Sequence, residues 1–395
     1  MLESIYIGMT GLLGYSKGLR VIANNTANIN TPGFKGSSLQ FADLFYSSGS
    51  THGGLAGQSN TQYGFGLNTT GTTLSFKQGE LRQTGNALDM AVDGQGLFVL
   101  KDASGAISYT RAGQFQFNID GVLVNKADGS KVMGLDAHGK LTEISMAGLK
   151  TSAGNASATI KFSGNLSSTA TDQTVGGIQV MDAVGGTHTL DVKLTNTDTT
   201  KTGSWSVELL EGTTVVGKGQ IIFQDGKPLA ANAKVSVTYT PTGQKAIPLT
   251  LDFSTDVTSF ASGSQSTLAM ASQDGYAPGD LIKATFDAAG ALVLNYSNGQ
   301  TVKGTRLALG RFDTLDAVGS KGDNQFTSLN SQAWHTGMAG DGVFGSVKSG
   351  VVEISNVDLS QEFSDLVVMQ RGYQASSQII TTANDMLQEL FAMKK

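Results

Sequence analysis

The chain has no cysteine, so it can form no disulfide, no thiolate metal site and no cysteine nucleophile. Proline is almost as scarce, 5 residues against 51 glycines, and only 15% of the residues are charged. Chain reversals must therefore rest on Gly, Asn and Asp turns, the profile of many short strands tightly joined. A net charge of −5 without a basic stripe argues against nucleic acid as a partner. No stretch reaches eighteen apolar residues, so no membrane insertion is expected. The first residues carry Glu3 in place of a basic n-region, and glycines break the apolar run, so no cleavable signal peptide is read. Histidine is confined to His52, His138, His188 and His335, each apart from acidic partners at ligand spacing, and no metal is expected.

Catalytic patterns are missing too. There is no Gly-x-Ser-x-Gly elbow, and no buried acid–base pair stands out among carboxylates that sit beside turn residues. Gly94 and Gly96 lack a third glycine in register and a following helix, so they read as turn glycines. Gly212 to Gly219 approaches a phosphate loop, but Gly219 stands where a hydroxyl would hold magnesium, and the strand-like Gln220-Ile221-Ile222-Phe223 follows. A hairpin with a basic tip at Lys218 explains it, and neither an enzyme nor a cofactor is expected.

What is present begins at the two ends. Leu359, Glu362, Leu366, Met369, Tyr373, Ser376, Ile380, Ala383, Leu387 and Leu390 alternate spacings of three and four, a heptad seam on a helix free of proline. Phe363, Val367, Ile379, Met386 and Phe391 widen that stripe, so more than one neighbour should cover it. Asn356 and Asp358 are candidate N-caps. At the other end Leu2, Ile5, Met9, Leu12, Ser16, Leu19, Ala23 and Thr26 repeat the alternation, with Tyr6 and Leu13 one step around. Gly8, Gly11, Gly14 and Gly18 interrupt it, each costing about 1 kcal/mol relative to Ala. Both ends are expected to order only against other copies of the chain, giving a subunit that polymerises through its termini. Two terminal helices of a self-contained globular protein are the plainer alternative.

The first helix runs into Ala23-Asn24-Asn25-Thr26-Ala27-Asn28-Ile29-Asn30-Thr31-Pro32-Gly33-Phe34-Lys35-Gly36. The last begins after Ser355-Asn356-Val357-Asp358-Leu359-Ser360 and contains Gln370-Arg371-Gly372-Tyr373-Gln374-Ala375. These two motifs resemble the N- and C-terminal signatures of the bacterial flagellar axial proteins, the rod and hook subunits. Asn24, Asn25, Asn28, Thr31, Gly33, Phe34, Asn356 and Asp358 carry the likeness.

Between the ends, residues 37 to 71 are rich in Gly, Ser and Thr around one apolar island, Phe41 to Tyr46, and read as a linker docked by its aromatics. The resemblance implies a second role, because rod and hook subunits carry a Phe followed four residues later by an apolar residue, read by the flagellar export gate. Phe41 and Phe45 fit that spacing. Alternation then marks strands from about Thr72 through Val124, again from Asp280 to Phe312, and within residues 146 to 273 at Thr189 to Thr195, Ser204 to Leu210, Lys234 to Thr240 and Ile247 to Phe253.

The expected fold is mixed. Two terminal coiled-coil helices, 1–33 and 357–395, form an inner helical domain, and a linker or hinge spans 34–71. The resemblance implies that 72–145 and 274–356 join as one discontinuous β domain, which carries an inserted outer β sandwich or barrel, 146–273. Pro32-Gly33 and Gly345 to Gly350 are candidate hinges. The resemblance implies a hook-type subunit, a homopolymer forming a hollow bendable tube that transmits torque. It would meet distal rod and hook–filament junction proteins at the tube ends, and the hook cap and export gate during assembly. Its location would be the extracellular flagellum. A distal rod subunit and, from another class, a secreted β-rich glycan-binding or hydrolytic protein remain open.

Overall fold

The structure, a computed structural model, describes residues 2–48, 62–136, 138–197 and 203–393. His52 and the middle of the 34–71 segment lie outside the described residues. Helix α1 spans Leu2–Ala27 and helix α2 spans Leu359–Met393; the rest is mainly strand. The chain divides into two compact units. One comprises residues up to Ala147 with Ala284–Val293 and Lys303 onward, the other Gly148–Lys283 with Leu294–Val302.

In the first unit α1 lies along α2 in the opposite direction: Gly8 sits against Ser376 and Ile380, and Gly18 against Met369. The expected seam of α1 is displaced by one residue. Gly8, Gly11, Gly18, Ile22 and Asn25 are buried, whereas Leu2 and Met9 are exposed and Ile5, Leu12 and Leu19 half-covered. The physical reason is distance. A β-carbon on Gly8 would stand 2.7 Å from Ile380 Cγ1, and one on Gly11 would stand 2.5 Å from Ser376 Oγ, so the backbones approach where side chains are absent. The glycines weaken the helix locally and make the interface.

Residues 37 to 71 depart from the expected linker. Ser37–Asp43 pairs antiparallel with Leu67–Leu74 across a register shift at Gln40/Phe41, and Tyr46–Ser48 pairs with Gln62–Gly64. This ribbon rests on α1: Lys17 Nζ donates to Thr69 Oγ1 at 2.9 Å, and Leu67 and Phe41 cover Gly14. Gly and Thr content misled the reading, because pairing with the first helix supplies the order that composition lacks.

The outward and return halves of the same unit are woven together. Leu81–Gln83 pairs with Val351–Glu353 and Met90–Asp93 with Ser346–Ser349. Leu97–Lys101 pairs with Ile107–Thr110 and with the long strand Thr301–Phe312, Leu309 facing Phe98. Gln325–Ser328 joins through Gln325 opposite Thr110. The turn at Gly94 and Gly96 therefore does not make a hairpin, since the strands on its two sides take different partners. Phe98 and Phe115 meet edge to face at 5.0 Å, and Tyr109 stacks on Trp334 at 3.8 Å.

The second unit has two sheets over one core. Asp172–Met181, Thr187–Asn196, Ser204–Glu211, Thr214–Gln224 and Lys227–Pro228 form an antiparallel meander. The other sheet holds Lys234–Tyr239, Ile247–Asp252, Thr159–Asn165, Val257–Thr258 and Ala269–Gln273; Thr159–Asn165 pairs parallel with Ile247–Asp252 and Val257–Thr258 and antiparallel with Ala269–Gln273. Alternate residues of each point inward, among them Val192, Leu194, Trp205, Val207, Val237 and Leu251. Gly217 and Gly219 face Val237 and Val235 so closely that no β-carbon fits. The glycines of the phosphate-loop look-alike are thus sheet-packing positions. Lys218 lies within its strand and pairs with Glu208 at 2.8 Å, so the hairpin tip is the uncharged Gly212-Thr213 and not a basic one.

Candidate assembly surface

On α2 the half-buried or buried residues facing α1 include Leu366, Met369, Ser376, Ile380, Ala383 and Leu387. Tyr373, expected in that row, is 42% exposed, because the adjacent Gly372 takes its place beneath the Tyr15 ring. Leu359 and Leu390 are exposed as well. With Glu362, which accepts from Asn25 of α1, seven of the ten α2 seam positions thus face α1, and three look outward.

The outward faces are apolar. Leu2, Tyr6, Met9 and Leu13 form a ridge on α1, between 48% and 78% exposed. At 3.6 residues per turn that ridge points roughly half a turn away from the glycine stripe. On α2 Phe363, Val367 and Val368 near the start, and Ile379, Met386 and Phe391 toward the end, are each 45% exposed or more. Isolated apolar residues on a surface need no explanation, but rows of them along two helices mark an interaction surface.

Beneath this surface the motif residues fasten helices to strands. Asn25 Nδ2 donates to Ser37 O at 2.7 Å and to Glu362 Oε1 at 2.9 Å, while its Oδ1 accepts from Ser37 N at 3.1 Å. Asn356 is a tether and not an N-cap: Oδ1 accepts from Gly36 N at 2.8 Å, and Nδ2 donates to Ser75 O and Lys77 O at 2.7 and 2.9 Å. Asp358 is the cap, with Oδ1 accepting from Ser360 N at 2.8 Å. Asn28 Nδ2 donates to Asn24 O at 2.9 Å, and Thr31 Oγ1 donates to Asn28 Oδ1 at 3.1 Å, closing the end of α1. Phe34 O accepts from Asn356 N at 3.4 Å. Gly33 has φ +72° and its backbone N donates to Glu353 O at 2.7 Å; a β-carbon there would stand 2.4 Å from Ala112 N.

Sequence reasoning missed the group at the centre of this junction. Glu353, with a fully buried side chain, accepts from Lys35 Nζ and Arg111 Nε at 2.6 Å each and from Gly79 N at 2.8 Å. Lys35 also donates to Lys77 O at 2.7 Å, and Arg111 to the carbonyls of Val92, Gly94 and Gly96. Burial holds the Lys35 ammonium below the ordinary lysine range, with Glu353 acting against that. Such a cluster survives burial because every charge has a partner. Arg111, directly after the strand Ile107–Thr110, was the one sequence cue, a cation that needed an anion from elsewhere. Both candidate hinges are pinned, each by its own contacts. Gly33 is held as above, and Ser346–Ser349 lies in a paired strand behind Gly345, whose β-carbon position is 2.4 Å from Asp93 O.

Phe41 lies against Gly14 and Tyr15, its ring centroid 6.1 Å from that of Tyr15, while Phe45 is 84% exposed. Among the described residues no cluster of three or more His, Asp or Glu is gathered as a metal would require.

A β-rich body closed by terminal helices that expose apolar rows is the arrangement of a structural subunit, and comparison with known proteins supplies the class. Three family profiles match: "Flagella basal body rod protein" over residues 5–35, "Flagellar hook protein FlgE/F/G D1 domain" over 91–172, and "Flagellar basal body rod FlgEFG protein C-terminal" over 348–393. At both ends and in the segment between, the chain is similar to flagellar rod and hook axial proteins. It is similar to the flagellar hook protein FlgE of Escherichia coli, 28% identical over 98% of each chain. It is also similar to the flagellar basal-body rod protein FlgG of Bacillus subtilis, 26% identical over the whole of both. A crystal structure of the Helicobacter pylori flagellar hook protein FlgE2 shares the fold, with a TM-score of 0.52 at 14% identity, covering 69% of this chain and 99% of that one.

Proposed function

We propose that the chain is the structural subunit of a bacterial flagellar hook, many copies of which polymerise into a hollow tube outside the cell that bends while passing torque from rod to filament. The observation that carries this reading is the pair of apolar rows on α1 and α2 that one chain leaves uncovered, within a chain matched end to end by proteins named flagellar hook protein. Burying such rows is favourable at about 25 cal/mol per Å2, and copies of the same chain are the partners always at hand. The helices would then form an inner coiled-coil layer, with the β-rich units outside.

Bending is assigned to sliding between subunits, since the segments at Gly33 and Gly345 are held by buried ions and strand pairing. Phe45, exposed between the strands Ser37–Asp43 and Tyr46–Ser48, is the residue available to an export gate before assembly. No helix among the described residues is long and apolar enough to cross a membrane. Distal rod, hook cap and hook–filament junction proteins follow as partners at the tube ends.

The rod protein likeness supports a second reading, a straight stiff tube. The second compact unit favours the hook, because rod subunits of this family generally lack so large an insertion. Electron microscopy of concentrated protein decides. Wild type is expected to give tubes that curve, and Phe363→Asp with Val367→Asp to give folded monomers only. Straight tubes would favour the rod, and tubes from the double variant would remove the assembly role from this face.

A further inference from the structure

Beside α2 a shallow groove of about 510 Å3 runs between Ala375, Ile379, Thr382 and Met386, with Ser4 of α1 on its rim. No charged side chain lines it, and the small Ala375 and Ala383 leave room between Gln378, Ile379 and Met386. The ridge on α1 is also uncharged, and Leu2, Tyr6, Met9 and Leu13 follow one another at spacings of four, three and four, one continuous row on a helix. The ridge points away from the chain's own α2, so it cannot enter its own groove. A row of large side chains and an uncharged gap between the side chains of another helix are the two halves of a knobs-into-holes contact.

We infer that the Leu2–Tyr6–Met9–Leu13 ridge of one copy packs into the Ala375–Ile379–Thr382–Met386 groove of another, joining neighbours α1 to α2. The inference rests on the reading that the chain polymerises, and it names which surfaces meet. Ala383, buried on α2, also lines the groove, so the new contact extends an interface that already exists. Ridge and groove are different surfaces of one chain, which makes the contact heterologous. Each added copy leaves one ridge and one groove free, and growth continues into a ring or helix instead of stopping at a dimer.

The absence of cysteine makes the test clean. Met9→Cys and Leu13→Cys chains are mixed with Ile379→Cys and Met386→Cys chains, polymerised, oxidised, and compared with the same mixtures kept dilute. A mixed disulfide is expected from polymer in at least one ridge–groove mixture, with none from dilute chains. Ile379→Asp is expected to lose polymerisation while Ser377→Asp, exposed on another face of α2, keeps it. If cysteine in the groove itself blocks assembly while Ser377→Cys does not, the groove is again the contact. Tubes without any ridge–groove disulfide, or tubes from Ile379→Asp, would overturn the inference and leave polymerisation standing. Wild-type chain that never polymerises would overturn the proposed function instead.

Discussion

Gly18 and Met369 face each other across the helix pair so closely that a β-carbon on Gly18 would stand 2.9 Å from the Met369 Sδ. The obstruction is the flexible end of a methionine, which can swing aside. At Gly8 the obstacles are the branched Ile380 at 2.7 Å and the Ser376 carbonyl oxygen at 3.2 Å, which cannot. Gly18→Ala should therefore be near neutral, its gain in helix propensity of about 1 kcal/mol offsetting the shift. Gly8→Val should cost about 1–3 kcal/mol by forcing the helices apart. Thermal unfolding followed by circular dichroism compares them, and equal midpoints would contradict this packing.

Neutralising the buried carboxylate strands two cations. Glu353→Gln is expected to lower stability by about 3–5 kcal/mol, the usual cost of breaking a buried pair. Lys321→Gln, which removes an exposed partner of Asp102, should change stability by about 0–1 kcal/mol. Urea titration of the two variants measures the difference, and a Glu353→Gln chain as stable as Lys321→Gln would refute the role given to the triad.

Gly33 answers to backbone geometry alone. A left-handed φ of +72° costs an L residue about 1–2 kcal/mol, before the contact with the Ala112 backbone is counted. Gly33→Ala should therefore unfold at clearly lower denaturant than wild type, while Gly129→Ala, also left-handed but with open space around it, should lose only the conformational part. Similar losses at both sites would show that the close approach to Ala112 does not matter.

Burial raises the Glu362 carboxyl above its ordinary range; the hydrogen bond from Asn25 opposes the rise and Asp365 adds to it. Between the unfolded value near 4.5 and the raised folded one, the folded chain holds more protons, so stability from this group falls as pH rises through that window. Gln keeps the accepting oxygen for Asn25 without the charge. Glu362→Gln should melt higher than wild type at neutral pH, and the gap should close below about pH 4.5. Melting curves across that range check the sign, and a destabilised variant at neutral pH would reverse it.

Both terminal helices were legible because Leu359 to Leu390 keeps heptad spacing without a proline, and the strands at Thr189, Ser204, Lys234 and Ile247 were legible from strict alternation. The α1 seam was read one residue late, since hydrophobicity marks the residues that seek cover and says nothing about glycines that allow contact. Gly8, Gly11 and Gly18 do lie at three- and seven-residue spacing, a row that a search for small residues would have found. The 37–74 ribbon was hidden for a different reason: its Thr and Gly residues gain order from α1, a neighbour that local composition cannot reveal.

Sequence by itself determined that this chain has two helical ends and a strand-rich middle, because periodicity and turn chemistry are local properties. Only the tertiary structure decided which face of α1 meets α2, where the ribbon lies, and that Lys35, Arg111 and Glu353 share one buried site. Those are relations between residues as far apart in the chain as Gly8 and Ile380. Their energies come from close approach and the exclusion of water, which exist only once the chain is folded.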